Sequence, residues 1–264
     1  MSVDLNQMAK ESVKDIRFWI LLFFLVRLIG ITSPPVETWH SWRQTVVNMT
    51  ARNYHETGID LMHPRVDIAG DLTGITGMEF PIYNACIAVM MNVFGEAHWY
   101  GRLLNLIAAS FGIWFFYRLI RDHVDERTAF LAAMILLGSL WFSMSRKIIP
   151  DIFACSLIFI GIERCIGYIK GNLSAFWMLL GIALCSIGVL IKLSVGCWMI
   201  LLPLSYFLPG SNRTRWWTLN VQSLGLLTII SFLMGEDRAR MGFISYRNYT
   251  GIKLRKDLHF KIIR

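Results

Sequence analysis

LLNLIAASFGIWFFYRLI, residues 103–120, decides the fold of this chain. Over that length it carries a single charge, Arg118, close to its end. About 20 apolar residues in a helix cover the hydrocarbon core of a bilayer, and lipid forces every backbone N–H and C=O to pair within the segment. The stretch reads as a transmembrane helix. Working outward, comparable apolar stretches cover 18–31, 80–94, 129–142, 152–169, 175–191, 195–208 and 216–234. Of 264 residues, 55% are hydrophobic and only 17% charged, which excludes an ordinary soluble domain. No repeat or low-complexity linker divides the chain. The expected organisation is one all-α polytopic bundle over 1–235, followed by a basic polar tail over 236–264.

The basic residues set the expected topology. With Lys10, Lys14 and Arg17 in the cytoplasm, eight spans would put Arg118, Arg121, Arg127, Arg164 and Lys170 outside, against the positive-inside rule. The stretch 80–94 is short for a span. Laid along the outer interface, it leaves about seven spans and returns those cations to the cytoplasm. Residues 32–101 then form a long outer loop, and 145–151 face the same side. The segment 18–31 lacks a small-residue cleavage pattern, so it reads as an uncleaved first span. The net charge of +8 matches cytoplasmic loops and anionic lipid headgroups, not nucleic acid. The five cysteines all lie in apolar segments without metal-ligand spacing, and read as packing thiols.

Polar chemistry is confined to two places. The outer loop reads Val36-Glu37-Thr38-Trp39-His40-Ser41-Trp42-Arg43-Gln44-Thr45, and continues through Pro64-Arg65-Val66-Asp67 and Gly77-Met78-Glu79-Phe80-Pro81. The second is Ser145-Arg146-Lys147-Ile148-Ile149-Pro150-Asp151. Residues 40–57 can form a helix with Trp39, Trp42, Val46, Met49 and Tyr54 as an approximate apolar stripe, His40, Gln44, Asn48 and His55 opposite, and Gly58 as C-cap. Carboxylates at a membrane face can take a proton from an acceptor, Arg and Lys bind phosphate, and aromatic rings cover a sugar. Plainer duties compete at each position. Glu37 and Glu79 can cap helices, Asp67 and Asp71 can make turns among glycines, and Asp151 suits a helix start. Arg43 and Arg52 can bind headgroups, and His40 and His63 can be interfacial hydrogen bonders. Arg27 and Lys192 lie within or between spans, where a charge is costly and points to a site.

These motifs, with Ala51-Arg52-Asn53-Tyr54, His63-Pro64-Arg65-Val66-Asp67, Pro81-Ile82-Tyr83-Asn84, Phe94-Gly95 and Pro150-Asp151, resemble the GT-C membrane glycosyltransferases. They are most similar to the glycosyltransferase family 39 type, which includes protein O-mannosyltransferases and aminoarabinose transferases. The resemblance covers roughly residues 18–208. It implies inverting transfer of a sugar from a polyprenyl-phosphate donor to a lipid, glycan or protein acceptor at the outer face, in a bacterial inner membrane and serving a cell-envelope glycan. It implies Glu37, Glu79 and Asp151 as catalytic acids, with Glu37 as base or acceptor-orienting acid. Substrate contacts would come from His40, Trp42, Arg43, Arg65, Asp67, Tyr83, Arg146, Lys147 and Lys192. Some such enzymes use a divalent metal, Mg or Mn, which Glu37 and Asp151 could hold. The sequence departs from the family where many members keep an Asp-Glu pair: Arg43-Gln44 stands there. Members usually continue through further spans, so the chain reads as a shortened member. Its basic tail would fall outside, so either the end is altered or the last stretch does not span. A rival reading is a non-catalytic flippase, transporter or assembly scaffold.

Overall fold

A computed structural model describes residues 15–34, 41–68, 73–77, 79–207 and 211–219. Among these residues the only extended pairing is an isolated antiparallel bridge between Arg65 and Ile75. The rest of the regular structure is helical. The first helix, α1 (Ile16–Leu28), starts at Asp15, whose carboxylate accepts from the Arg17 N–H at 2.9 Å. It is followed by α2 (Ser41–Thr57), α3 (Ile82–Phe94), α4 (Tyr100–Arg121), α5 (Glu126–Gly138) and α6 (Leu140–Met144). Then come α7 (Pro150–Ile169) and α8 (Ala175–Ile191).

Among the described residues two helices, α4 with 22 residues and α7 with 20, are long and apolar enough to cross a membrane. At about 1.5 Å per residue they measure roughly 33 and 30 Å, the thickness of the hydrocarbon core. The expected spans at 18–31, 129–142 and 175–191 are helical but shorter or broken. Ser139 divides the second of these: it ends α5 and its hydroxyl caps α6. The expected span at 195–208 is not a regular α-helix. It runs as a 3₁₀ segment (Leu193–Ile200), a single α turn, α9 (Leu201–Leu204), and a second 3₁₀ turn (Ser205–Phe207). The stretch 216–234 and the tail 236–264 fall almost wholly outside the described residues.

The helix α3 is 13 residues long, about 20 Å, too short to span. It packs instead against α2, with Asn84 donating to the Val47 carbonyl at 3.1 Å. The boundaries of α2 match the expectation, and Gly58 ends it with φ +98°. Its expected apolar stripe does not. The buried face is Gln44, Val47, Thr50, Ala51 and Tyr54, while Trp42 is exposed. That face lies on α3 and meets Ile148, whose N–H donates to the Gln44 side chain.

Between α7 and α8 the packing is closest. A Cβ added at Gly161 would lie 2.6 Å from the Gly181 carbonyl oxygen, and one at Gly181 would lie 2.8 Å from that of Gly161. Backbones approach this closely only through small residues, a usual device between helices in lipid.

Charged side chains gather at both ends of the bundle. Arg17 lies over Trp114, Arg118 pairs with Glu163 at 3.0 Å, and Lys170 donates to the Asp122 carbonyl at 3.2 Å. Arg164 joins Glu163 at 3.2 Å and covers the rings of Phe115 and Trp177. That end is basic. The opposite end gathers the close of α1, α2 and α3, and the starts of α4 and α7. There Arg102, wholly buried, donates to the carbonyls of Ile31, Ser33 and Pro34. It ties the chain just past α1 to the start of α4.

Candidate active site

Four charged side chains from four elements meet at the end of the bundle opposite Arg118 and Glu163. Arg43 lies in the first turn of α2, Glu79 precedes α3, Asp151 lies in the first turn of α7, and Lys192 follows α8. One Arg43 guanidinium nitrogen reaches both Glu79 carboxylate oxygens, at 2.5 and 2.6 Å, and Asp151 at 3.5 Å. The Lys192 ammonium reaches Glu79 at 2.7 Å and Asp151 at 3.2 Å. Two cations thus face two acids in one ring of contacts. All four are partly shielded, with side-chain exposures between 23% and 36%, so water can enter but does not screen them fully.

Local sequence explains each position. Pro150 at the start of α7 lacks the N–H that a first turn leaves free, and the helix dipole there favours the Asp151 carboxylate. Residues 147–149 are tied down by Asn105, whose amide donates to the Lys147 and Ile149 carbonyls at 2.7 and 2.9 Å. Buried Gln44, one residue after Arg43, accepts from the Ile148 N–H at 3.3 Å. Arg146 reaches the Gly30 carbonyl at 3.1 Å. Gly30 is required there: its φ is +71°, and a Cβ would lie 2.8 Å from the Arg146 guanidinium. Lys192 sits where α8 breaks into the 3₁₀ segment, and its extended backbone (φ −150°, ψ 105°) lets the side chain turn to Glu79. Burial pulls the Lys192 pKa down, but the hydrogen bond and charge of Glu79, with Asp151, outweigh it and hold the ammonium above its ordinary value.

A cavity of about 320 Å³ opens beside Arg43 and Asp151, walled by Leu140, Trp141, Met144, Ile149 and Ile152. An apolar trough ending at a guanidinium and a carboxylate suits an amphiphile with an anionic head. On its α1 side Arg27 donates to the Ser143 hydroxyl at 2.7 Å.

The other expected site residues are placed differently. Tyr83 is fully buried, and its hydroxyl donates to the Gly101 carbonyl at 2.8 Å, so the ring is part of the core and offers no face to a sugar. Asp67 pairs with Arg52 and accepts from Asn53 at 2.9 Å, bracing the loop against α2. Arg65 lines a separate pocket near the end of α2. Trp42, one residue before Arg43, is 60% exposed. Glu37, His40 and Asp71 lie outside the described residues. The expectation missed Arg102, Asn105 and Gln44, which read as one charge and two amides near apolar segments. It also missed Trp141 and Met144, hidden in a hydrophobic run.

A divalent metal fits the described residues poorly. Glu79 and Asp151 already have their charges met by a guanidinium and an ammonium. Among the described residues no three His, Cys, Asp or Glu side chains gather as a possible metal site.

The sequence profile of the dolichyl-phosphate-mannose-protein mannosyltransferase family matches residues 79–235, more than half of the chain. The fold is similar to two crystal structures of ArnT from Cupriavidus metallidurans. The apo form aligns with a TM-score of 0.58 at 15% identity, covering 86% of this chain and 44% of that one. The form bound to undecaprenyl phosphate aligns with a TM-score of 0.51 at 15% identity, covering 82% and 42%. The chain therefore spans less than half the length of either. At this identity the likeness bears on fold alone. No curated protein sequence matches the chain.

Proposed function

This chain belongs to the dolichyl-phosphate-mannose-protein mannosyltransferase family, within the GT-C membrane glycosyltransferases, and from that premise we propose that it transfers a sugar from a polyprenyl-phosphate donor to a lipid, glycan or protein acceptor, with inversion. The observation that carries the proposal is the convergence of Arg43, Glu79, Asp151 and Lys192 beside an apolar cavity. The isoprenoid chain takes the trough walled by Trp141 and Met144, and its phosphate exchanges for carboxylate on Arg43 and Lys192. Asp151 has the longer contacts, 3.5 and 3.2 Å, so it is released first, while Glu79 keeps both cations in place. Freed, Asp151 takes the proton of the acceptor hydroxyl or amine. The acceptor atom attacks the anomeric carbon from the face opposite the phosphate. The bond from that carbon to the phosphate oxygen breaks, and the electron pair leaves with the carrier. The two cations stabilise the charge that develops there. Glu37 orients the acceptor.

The test is reconstitution with a polyprenyl-phosphate sugar and measurement of free carrier phosphate. Asp151→Asn is expected to slow release by about 10²-fold or more, the usual contribution of a general base. Unchanged release would leave the non-catalytic flippase or scaffold reading in its place.

The positive-inside preference supports the sidedness: the end bearing Arg17, Arg118, Arg164 and Lys170 belongs in the cytoplasm, and the four-residue cluster outside, on a bacterial inner membrane. A reporter domain fused after Arg121 is expected to score cytoplasmic, and an external score would reverse the topology.

A further inference from the structure

At the far end of α2 from Arg43, a second pocket of about 220 Å³ is lined by Asn53, Tyr54, Thr57, Asp60, His63 and Arg65. It is lined mainly by polar groups, unlike the trough beside the cluster. Tyr54 forms its inner wall with only 2% of its surface exposed, and its buried hydroxyl has no hydrogen-bond partner among the described residues. A buried hydroxyl left unpaired costs free energy, so its presence calls for a partner. Opposite it, Asp60 is fixed by three contacts: it accepts from the Met62 N–H at 2.9 Å and the His63 N–H at 3.2 Å, and meets the His63 ring at 2.9 Å. That ring contact holds the Asp60 carboxyl below its usual pKa range, and burial with the Asp60 charge raises that of Tyr54, so the pocket presents a carboxylate beside a phenol. Gly58 turns the chain at φ +98° to bring Asp60 and His63 back over the helix end.

We infer that this pocket binds a carbohydrate ring of the acceptor. A carboxylate, an imidazole, a guanidinium, an amide and two hydroxyls supply donors and acceptors in mixture, which suits vicinal hydroxyls and not a single anion. Eleven residues of helix separate Tyr54 from Arg43, about 16 Å. An acceptor holding a ring here can extend along α2 and present its reactive hydroxyl at Asp151. The inference deepens the proposed transfer reaction by making the acceptor a glycan.

Saturation-transfer NMR on the detergent-solubilised full chain, with methyl glycosides of mannose, galactose, glucose and N-acetylglucosamine, tests it. At least one glycoside is expected to receive saturation. Its affinity should fall about fivefold in Tyr54→Phe and in His63→Ala, the loss of one hydrogen bond each. Tyr54→Phe should not lower the melting temperature, since the hydroxyl has no protein partner to lose. Glu79→Gln should retain the glycoside signal. No glycoside signal, a signal unchanged in both pocket variants, or preference for inorganic phosphate over every glycoside would overturn the inference. Because Glu79→Gln removes transfer but not this binding, failure of the pocket and failure of the reaction are read separately.

Discussion

Glu79→Gln is expected to reduce sugar transfer by about 10²- to 10³-fold while the protein remains folded. The size follows from removing a preorganised electrostatic group. Glu79 accepts from Arg43 at 2.5 and 2.6 Å and from Lys192 at 2.7 Å, and so sets the spacing between the two cations. An amide of the same shape keeps two acceptor contacts at best and lacks the charge. Arg43 and Lys192 would then repel one another across Asp151 alone. Asp151 would be drawn into the place of Glu79 and could no longer exchange for phosphate. The loss should appear in the rate of carrier release. Folding should be little affected, because these side chains keep up to about a third of their surface in water and exposed ion pairs contribute little to stability. Rate and melting temperature measured on the same preparation separate the two effects. A fall in melting temperature matching the fall in rate would make Glu79 a structural residue.

The second large effect is on the fold. Gly181→Leu is expected to destabilise the bundle by about 3 kcal/mol or more, at or above the upper end of overpacking costs. The added Cβ alone would lie 2.8 Å from both the Gly161 carbonyl oxygen and the Cys165 sulfur. Neither is the end of a flexible chain, so α7 and α8 must move apart. Since α7 carries Asp151 and α8 ends at Lys192, separation also pulls the site open. Gly138→Leu is the control, because a Cβ there meets nothing within 4 Å. Thermal unfolding in detergent should show a clear drop for the first and little for the second. Equal behaviour would mean that the α7–α8 contact is not tight.

Hydropathy made the helical class legible. Arg43, Glu79, Asp151 and Lys192 were each legible as unusual charges bordering apolar segments. What the sequence does not show is that they touch. Their positions are spread from the start of α2 to the end of α8, and only the packing of α2 on residues 148–149 and the break at Lys192 bring them together. The inward face of α2 was misread because periodicity finds large apolar residues. This helix buries Ala51, Thr50, whose hydroxyl bonds back to the Val46 carbonyl, and Gln44, which accepts from the Ile148 N–H. Tyr83 was assigned to a sugar because aromatic residues near acids suit one. The Gly101 carbonyl claims its hydroxyl, and nothing local in the sequence announces that contact. Arg102 reads as an ordinary charge near a helix start, yet its value lies in three carbonyls about 70 residues earlier.

The central claim is that Arg43 and Lys192, held by Glu79 and Asp151, receive a carrier phosphate. Binding of undecaprenyl phosphate to the purified chain in nanodiscs tests it most directly, compared between the unaltered protein and Arg43→Met and Lys192→Met. Each substitution removes one charge-assisted contact, so each is expected to weaken binding by about tenfold or more. Equal affinity in all three proteins would contradict the account.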